Sequence, residues 1–176
     1  MAGTIFVKAP FKEFRAYLGR LKSSSGHIPY DDIDLKDIYS IASWVYVLDV
    51  GQDGDICVLT FKFVGEGLCK RIGFDPTGKQ LKDLDFGDGQ DAWREGYRTI
   101  VKTGRPHVLS MIHYPDVEKM YPYEKGEATC LLRLAYPTVA SNGEIEKIIG
   151  VGQFIPLANP EAGQFYEFTL DEISAA

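Results

Sequence analysis

Five polar side chains lie within runs of sequence that otherwise have the character of β-strands. A polar group that is buried in a sheet needs hydrogen-bond partners, so such residues are the most informative about a binding site. We take them as candidate ligand contacts. They are Ser110, His113, Arg133, Tyr136 and Gln153.

Arg133 lies between leucines in the segment C-L-L-R-L-A-Y. If its side chain points inward, the guanidinium would bind a carboxylate or phosphate through a fork of donors. On an alternating strand the same side chain could point outward to solvent. Gln153, in G-V-G-Q-F, leaves a similar choice between contacting a flat heterocycle and facing solvent.

Metal sites and catalytic motifs are not indicated. His107 and His113 lie six residues apart on one strand, too far to share an ion, which leaves a single histidine binding haem as the alternative. The sequence has no G-x-S-x-G, H-E-x-x-H or P-loop motif. We therefore predict that the chain is not an enzyme, and His113 with Arg133 is the pair to test for catalysis.

Composition and charge narrow the class of protein further. The 176 residues are 45% hydrophobic and 25% charged, which suits one globular domain with extensions. The net charge of −6 argues against nucleic-acid binding. Cys57, Cys69 and Cys130 form no C-x-x-C pair, so neither a zinc site nor a disulfide framework is expected. With no signal peptide and no membrane-spanning run, the prediction is a cytoplasmic protein.

Two amphipathic helices are predicted. Over Pro10–Lys22, four apolar residues recur at three- and four-residue steps: Phe11, Phe14, Leu18 and Leu21. This stripe either covers the chain's own sheet or pairs with a second copy in a dimer. Over Asp88–Lys102, Trp93 and Tyr97 share a stripe, and Gly104 follows as a C-terminal cap.

The strands follow from β-branched and aromatic runs separated by turn residues. We predict five, at residues 44–50, 57–64, 107–114, 128–139 and 145–157, with Leu59, Phe61 and Phe63 on one face of the second. Short helical turns are expected over 29–40, capped by Asp31 or Asp32, and again over 64–72 and 81–84. Residues 115–127 are expected to form an exposed loop. The order predicts an α+β fold with a five-stranded antiparallel sheet and helices on one face, plus the N-terminal helix.

An ordered set of residues resembles the PAS domain, and more narrowly a short stand-alone PAS subfamily of bacteria, best represented in alphaproteobacteria. The set begins with Trp44-Val45, Leu48-Asp49, Phe61, Val64-Gly65, Leu68, Gly73, Thr77-Gly78, Leu81 and Asp83-Leu84. It continues with Tyr97, Thr103-Gly104-Arg105-Pro106, Leu132, Leu134, Pro137 and Ile149-Gly150-Val151. The resemblance spans roughly residues 31–157 and implies a PAS-like domain over 29–157, between a helical extension (1–28) and a C-terminal tail (158–176).

Large inward-facing aromatics, short helices and loose connections predict a cavity between the sheet and its helices, where pockets form preferentially. The resemblance makes the helical wall and the inner sheet face the candidate lining, adding Phe61, Phe63, Trp93 and Tyr97 to the candidate ligand contacts. The segment L-C-K-R-I-G around Cys69 is similar to the flavin-binding segment N-C-R-F-L-Q of light-sensing PAS domains. Leu68 and Gly73 replace its Asn and Gln, so we expect a buried thiol here and no flavin.

The predicted function is a stand-alone sensory or regulatory module. It would bind a small ligand, of unknown identity, and signal through protein–protein contacts. Those contacts would be of two kinds: a homodimer formed through the N-terminal helix, and an interaction with a signalling partner. The alternative is a ligand-free dimerisation scaffold with a filled core.

Overall fold

A computed structural model describes residues 9–54, 56–84, 90–113 and 129–156. These residues contain one antiparallel five-stranded sheet with the strand order β2-β1-β5-β4-β3. The strands are β1 (Val45–Asp53), β2 (Ile56–Val64), β3 (His107–His113), β4 (Thr129–Val139) and β5 (Ile145–Pro156). The predicted α+β fold and its five strands are confirmed.

Three α-helices and three short 3₁₀-helices accompany the sheet in the described residues. They are α1 (Ala9–Leu21), α2 (Glu66–Ile72) and α3 (Gln90–Thr103), with 3₁₀ segments at Tyr30–Asp32, Leu35–Trp44 and Leu81–Asp83. Gly73 and Gly104 end α2 and α3 with φ of 85° and 65°, a left-handed conformation that glycine adopts without a Cβ clash. Asp34, and neither Asp31 nor Asp32, caps the 3₁₀ segment Leu35–Trp44 by accepting from the Lys36 N–H.

The sheet separates two hydrophobic clusters. The inner face packs against α2, Leu81–Asp83 and α3, and its cluster includes Leu48 and Leu131. The outer face packs against α1 and Leu35–Trp44, and its cluster includes Val47 and Leu134. The fold therefore has three layers, with the candidate pocket on the inner side.

Helix α1 packs against its own sheet, as one of the two alternatives proposed. Phe11, Phe14, Tyr17 and Leu18 are at most 2% exposed and belong to the outer-face cluster. The Tyr17 hydroxyl also donates to the Asp34 carbonyl at 3.1 Å. Since the apolar stripe is buried within one chain, a homodimer through α1 would have to use the helix's exposed side.

A β-bulge in β2 overturns one prediction about strand faces. Val47 pairs with Phe63 and the next residue, Leu48, pairs with Phe61, so Lys62 is an extra residue on β2. Phe61 joins the inner cluster, whereas Phe63 packs against the outer one. The prediction that both side chains share a face is wrong because strict alternation breaks at Lys62.

Several predictions concern residues outside the described ranges, namely the loop at 115–127 and the tail from residue 158. The predicted strand ends at Tyr114, Ala128 and Leu157 also lie there. In the described part of the chain, no helix is long and apolar enough to cross a membrane.

Candidate functional site

Strand β4 sorts the candidate residues between the two faces. Leu131 and Ala135 belong to the inner cluster, whereas Leu132, Leu134 and Tyr136 belong to the outer one. Arg133 alternates with the leucines and points inward. Because Tyr136 lies three positions further on, it must face the opposite way. It packs edge-on against Phe14 of α1, with ring centroids 6.1 Å apart.

Ser110 and Gln153 also lie on the outer face. Both pair directly with Leu132, a residue of the outer cluster, and side chains of directly paired residues share a face. Ser110, Gln153, Tyr136 and Phe63 therefore do not line a cavity on the inner side, contrary to the prediction. The backbone of His113 pairs with Thr129, and its side chain lies outside what the structure describes.

The remaining four candidates meet in one pocket between the inner face and the helices. Phe61, Trp93, Tyr97 and Arg133 line it, together with residues that sequence analysis did not single out as ligand contacts. Those are Tyr46, Val64, Leu68, Ile72, Pro76 and Leu131. The helical spacing of Leu68 and Ile72 was visible in the sequence, but the inward position of Tyr46 follows only from the pairing of β1.

This pocket is small. Its volume is about 30 Å³, enough for about one or two water molecules. Pockets that bury a drug-sized ligand measure roughly 300–1,000 Å³. The prediction of a ligand-sized cavity is therefore not met in this arrangement of the described residues, where side chains fill most of the space.

Arg133 is the charged group of the pocket. Its side chain is 3% exposed, and its Nη1 donates to the Tyr97 hydroxyl at 3.3 Å. The guanidinium Cζ lies 3.3 Å from the Trp93 ring centroid, a cation–π contact. Nε and Nη2 are buried and have no hydrogen-bond partner among the described residues. Burial lowers the pKa of this guanidinium from its usual value, while Tyr97 and Tyr46 act in the opposite direction.

Two tyrosines complete the polar side of the pocket. Tyr97 is fully buried and Tyr46 is 2% exposed, with their rings edge to face at a centroid distance of 6.2 Å. Burial raises the pKa of Tyr97, and it raises the pKa of Tyr46 well above the usual 10. Both phenols are therefore neutral at physiological pH, so they do not neutralise the charge of Arg133.

Gly150 makes room for Tyr46. The two residues pair across β1 and β5, and a Cβ built at Gly150 would lie 2.3 Å from the Tyr46 Cζ and hydroxyl oxygen. Real side chains essentially never approach so closely. A glycine on β5 is thus a requirement for the aromatic wall of the pocket.

Cys69 is a poor nucleophile in this structure. Its Sγ donates to the Val64 carbonyl at 3.6 Å and to an Asp75 oxygen at 3.7 Å. Burial, followed by the charge of Asp75, raises the pKa of this thiol to about 11. The residue is not part of the pocket lining, and it is only partly buried, whereas the sequence predicted a buried thiol.

A larger cleft of about 80 Å³ opens where β2, Leu81–Asp83 and α3 meet, and it includes Arg94 and Arg98. Arg94 forms ion pairs and hydrogen bonds with Asp91 and the Lys82 carbonyl, and Arg98 pairs with Glu95. Arg94 and Arg98 are therefore paired within the chain, whereas Nε of Arg94 has no hydrogen-bond partner among the described residues and Lys82 also lines the cleft. Nowhere in the described ranges do three His, Cys, Asp or Glu side chains gather to hold a metal ion.

Comparison with solved structures agrees with the architecture. A light-oxygen-voltage (LOV) domain studied with a flavin analogue matches with a TM-score of 0.50 and 13% identity, over 82% of this chain and 91% of that chain. The fold is that of PAS and LOV domains. No family model matches the sequence. No curated protein matches it either.

Two further solved structures match with lower TM-scores. The LOV protein of Rhodobacter sphaeroides is 15% identical with a TM-score of 0.45, covering 74% of this chain and 71% of that one. The protein VqmA bound to DPO is 18% identical with a TM-score of 0.47, covering 69% of this chain and 58% of that one.

Proposed function

We propose that this chain is a PAS-like sensory module that binds a small ligand between the inner sheet face and α3, and signals through protein–protein contacts. In this proposal it has no catalytic activity and acts in the cytoplasm of a bacterium, as its resemblance to the stand-alone alphaproteobacterial PAS subfamily implies. The output passes through a homodimer and through a signalling partner. The homodimer uses the exposed side of α1, which includes Lys12, Ala16 and Arg20.

The buried, incompletely bonded guanidinium of Arg133 is the observation that carries this proposal. A buried charge is costly unless it is paired, and removing polar donors from water without partners adds to that cost. Replacing such a group by an apolar residue often stabilises a protein. A cation inside a hydrophobic pocket, with no anion among the described residues, therefore suggests a role that is fulfilled when a partner binds.

The small size of the pocket supplies a route from binding to signalling. Protein interiors are packed too densely to deform smoothly, so a ligand larger than one or two waters must displace side chains or the helical wall. Trp93 and Tyr97 of α3 stand directly against Arg133 of the sheet. Occupancy would then change how α3 packs, which is a change that a partner protein can detect.

The same small volume favours a second candidate, a ligand-free dimerisation or interaction scaffold. A filled interior needs no chemical signal, and its surface alone would carry the function. This candidate gives no reason for the unpaired donors of Arg133.

Native mass spectrometry of the full chain, purified without denaturation, tests the two candidates. The proposal predicts a bound compound of a few hundred daltons that is lost on denaturation. A thermal shift of about 5–10 °C should follow when that compound is restored at 100 times its Kd, from a stabilisation of about 2.7 kcal/mol. A bare chain that binds no metabolite at any concentration would leave the scaffold as the function.

Phe61→Ala and Phe63→Ala form a matched pair for the same assay. Both remove an aromatic ring from β2, but only Phe61 lines the pocket. We expect Phe61→Ala to change the ligand Kd by about tenfold or more, since 1.4 kcal/mol of contact corresponds to a factor of ten. Phe63→Ala should leave the Kd within about twofold. Equal effects of the two substitutions would place the binding site elsewhere.

A further inference from the structure

The guanidinium of Arg133 has one hydrogen-bonded side and one buried edge that has no partner among the described residues. Nη1 donates to Tyr97, and the flat face rests on Trp93. The two nitrogens left without partners in the described structure are Nε and Nη2. By the standard naming of arginine atoms, these two share one edge of the guanidinium, because Nη1 is the nitrogen cis to Cδ.

This edge has the geometry of a carboxylate receptor. The N–H of Nε and one N–H of Nη2 point in parallel, and their spacing matches the two oxygens of a carboxylate. A water that accepted from this edge would leave the positive charge unneutralised. The edge is held in place because Tyr97 accepts from Nη1 and Trp93 fixes the plane of the guanidinium.

Charge selects among the oxyanions that fit. Across residues 9–54, 56–84, 90–113 and 129–156, the ion pairs of Asp and Glu involve Lys62, Lys70, Arg94, Arg98 and Lys147, and none involves Arg133. No residue lining the pocket supplies a second cation. A monoanion would neutralise Arg133, whereas a dianionic phosphate monoester would leave a buried negative charge.

The remaining walls select the body of the ligand. Phe61, Val64, Leu68, Ile72 and Leu131 present only carbon to the pocket. An apolar or aromatic group loses little by leaving water for such a surface, whereas a hydroxylated body would lose hydrogen bonds there.

We infer that the ligand is a small monocarboxylate with an apolar or aromatic body, whose two carboxylate oxygens accept from Nε and Nη2 of Arg133. This inference rests on the proposed sensory function and names its ligand class. Because Nε and Nη2 are buried, the carboxylate displaces the groups that cover this edge in the described structure. Its body enters between the sheet and α3 and shifts the contact between Arg133 and Trp93.

The test uses the full chain and matched pairs of compounds: benzoate with benzamide, and hexanoate with hexanamide, with phenyl phosphate as the dianion. Titrations are followed by ligand-observed NMR and by the Nε–H signal of Arg133 in ¹⁵N-labelled protein. We expect at least one carboxylate to bind about tenfold or more tightly than its amide and than phenyl phosphate, and to shift the Arg133 Nε–H signal.

Substitutions assign that preference to one residue. Arg133→Met should abolish the preference for the carboxylate, and Arg133→Lys, which keeps the charge without the fork, should weaken binding about tenfold or more. Lys147→Met is the matched control. Lys147 is also a buried cation of this sheet, with a side chain 8% exposed, but it pairs with Asp49 and packs against Tyr30 on the outer face. The Lys147→Met variant should bind the carboxylate as tightly as the unsubstituted protein does.

Each contrary result has a distinct meaning. Amides that bind as well as carboxylates, with no loss in Arg133→Met, would overturn the ligand class and leave the sensory function standing. No binding by any compound, together with no co-purified ligand, would overturn both. The inference also fails if the Nε–H signal of Arg133 is already shifted in the free protein and moves back when the acidic residues of 85–89 and 114–128 are neutralised. That result would mean that one of the chain's own carboxylates occupies the edge.

Discussion

The guanidinium of Arg133 stacks on the indole of Trp93, with Cζ 3.3 Å from the ring centroid. The two residues lie 40 positions apart in the sequence and belong to β4 and α3, so this contact joins an interior strand of the sheet to the helical wall. The contact orients the cation without neutralising it. A group that is held so firmly and yet has no anion among the described residues is better explained by a missing partner than by its contribution to stability.

Arg133→Met tests this view in the absence of any ligand. Methionine has a similar volume and carries no charge, so we expect the free energy of unfolding to rise by about 1–3 kcal/mol. The loss of the hydrogen bond from Arg133 to Tyr97 reduces this gain. Urea denaturation of the ligand-free protein measures it. The control Lys147→Met should destabilise the protein, because it removes the buried cation that pairs with Asp49. A loss of several kcal/mol in Arg133→Met would show instead that Arg133 belongs to a structural ion pair.

Buried phenols make the protein sensitive to alkali. Burial raises the pKa of Tyr46 and Tyr97, so the folded state keeps protons that the unfolded chain loses above pH 10. Stability from these groups is fully present below pH 10 and falls as pH rises toward the folded pKa, by about 1.4 kcal/mol per pH unit for each group. Urea denaturation between pH 8 and 11 should show this slope.

Conservative substitutions separate this effect from general alkaline repulsion. Tyr46→Phe and Tyr97→Phe should each reduce the slope above pH 10. Tyr39→Phe is the control, since that side chain is 84% exposed. A slope that stays unchanged in both buried variants would mean that other groups cause the alkaline loss.

Sequence periodicity predicted the architecture well because the strands bury one or both faces. The apolar runs and Gly104, which ends α3, each encode a local conformation that the tertiary structure preserves. The amphipathic stripe of α1 predicted a buried face, but no local signal distinguishes burial in the same chain from burial in a partner. That choice depended on the outer sheet face, which only the assembled fold reveals.

The site was predicted less well for two physical reasons. Alternation places Arg133 and Tyr136 on opposite faces, and applying the period of two within β4 would have separated them beforehand. Phe63 was different, because the bulge at Lys62 depends on how β1 and β2 pair and leaves no mark in β2 itself. The volume of the pocket depends on how large side chains pack together, which a list of residues does not determine.

Cys69 should react slowly with alkylating reagents. With a pKa of about 11, only about one thiol in a thousand to ten thousand is ionised at pH 7–8. Its alkylation rate, followed by peptide mass spectrometry, should rise about tenfold per pH unit up to pH 10. Asp75→Asn removes a negative charge and an acceptor, so it should lower the thiol pKa and speed the reaction. Rapid alkylation of the unsubstituted protein at pH 7 would contradict this environment.

Gly150 and Tyr46 should be strongly coupled. Gly150→Ala places a Cβ against the Tyr46 ring, and the displaced ring should cost about 1–3 kcal/mol of unfolding free energy. In a Tyr46→Ala background the same change should cost almost nothing, which gives a coupling energy of similar size in a double-mutant cycle. Gly152→Ala is the comparison, since its Cβ meets the flexible end of Leu68 at 2.9 Å and should be tolerated better. Additive effects at Gly150 and Tyr46 would show that the ring lies elsewhere.

Phe14 offers a test of where α1 packs. The side chain is fully buried and contacts Tyr136 of β4, so Phe14→Ala should lower the free energy of unfolding by about 3–5 kcal/mol. Because the contact lies within one chain, this loss should be the same at every protein concentration, and the oligomeric state from light scattering should not change. If the stripe instead packed between copies, the melting temperature would depend on concentration and the variant would dissociate. Lys12→Ala, on the exposed side of the helix, should leave stability nearly unchanged and weaken only a homodimer that uses that side.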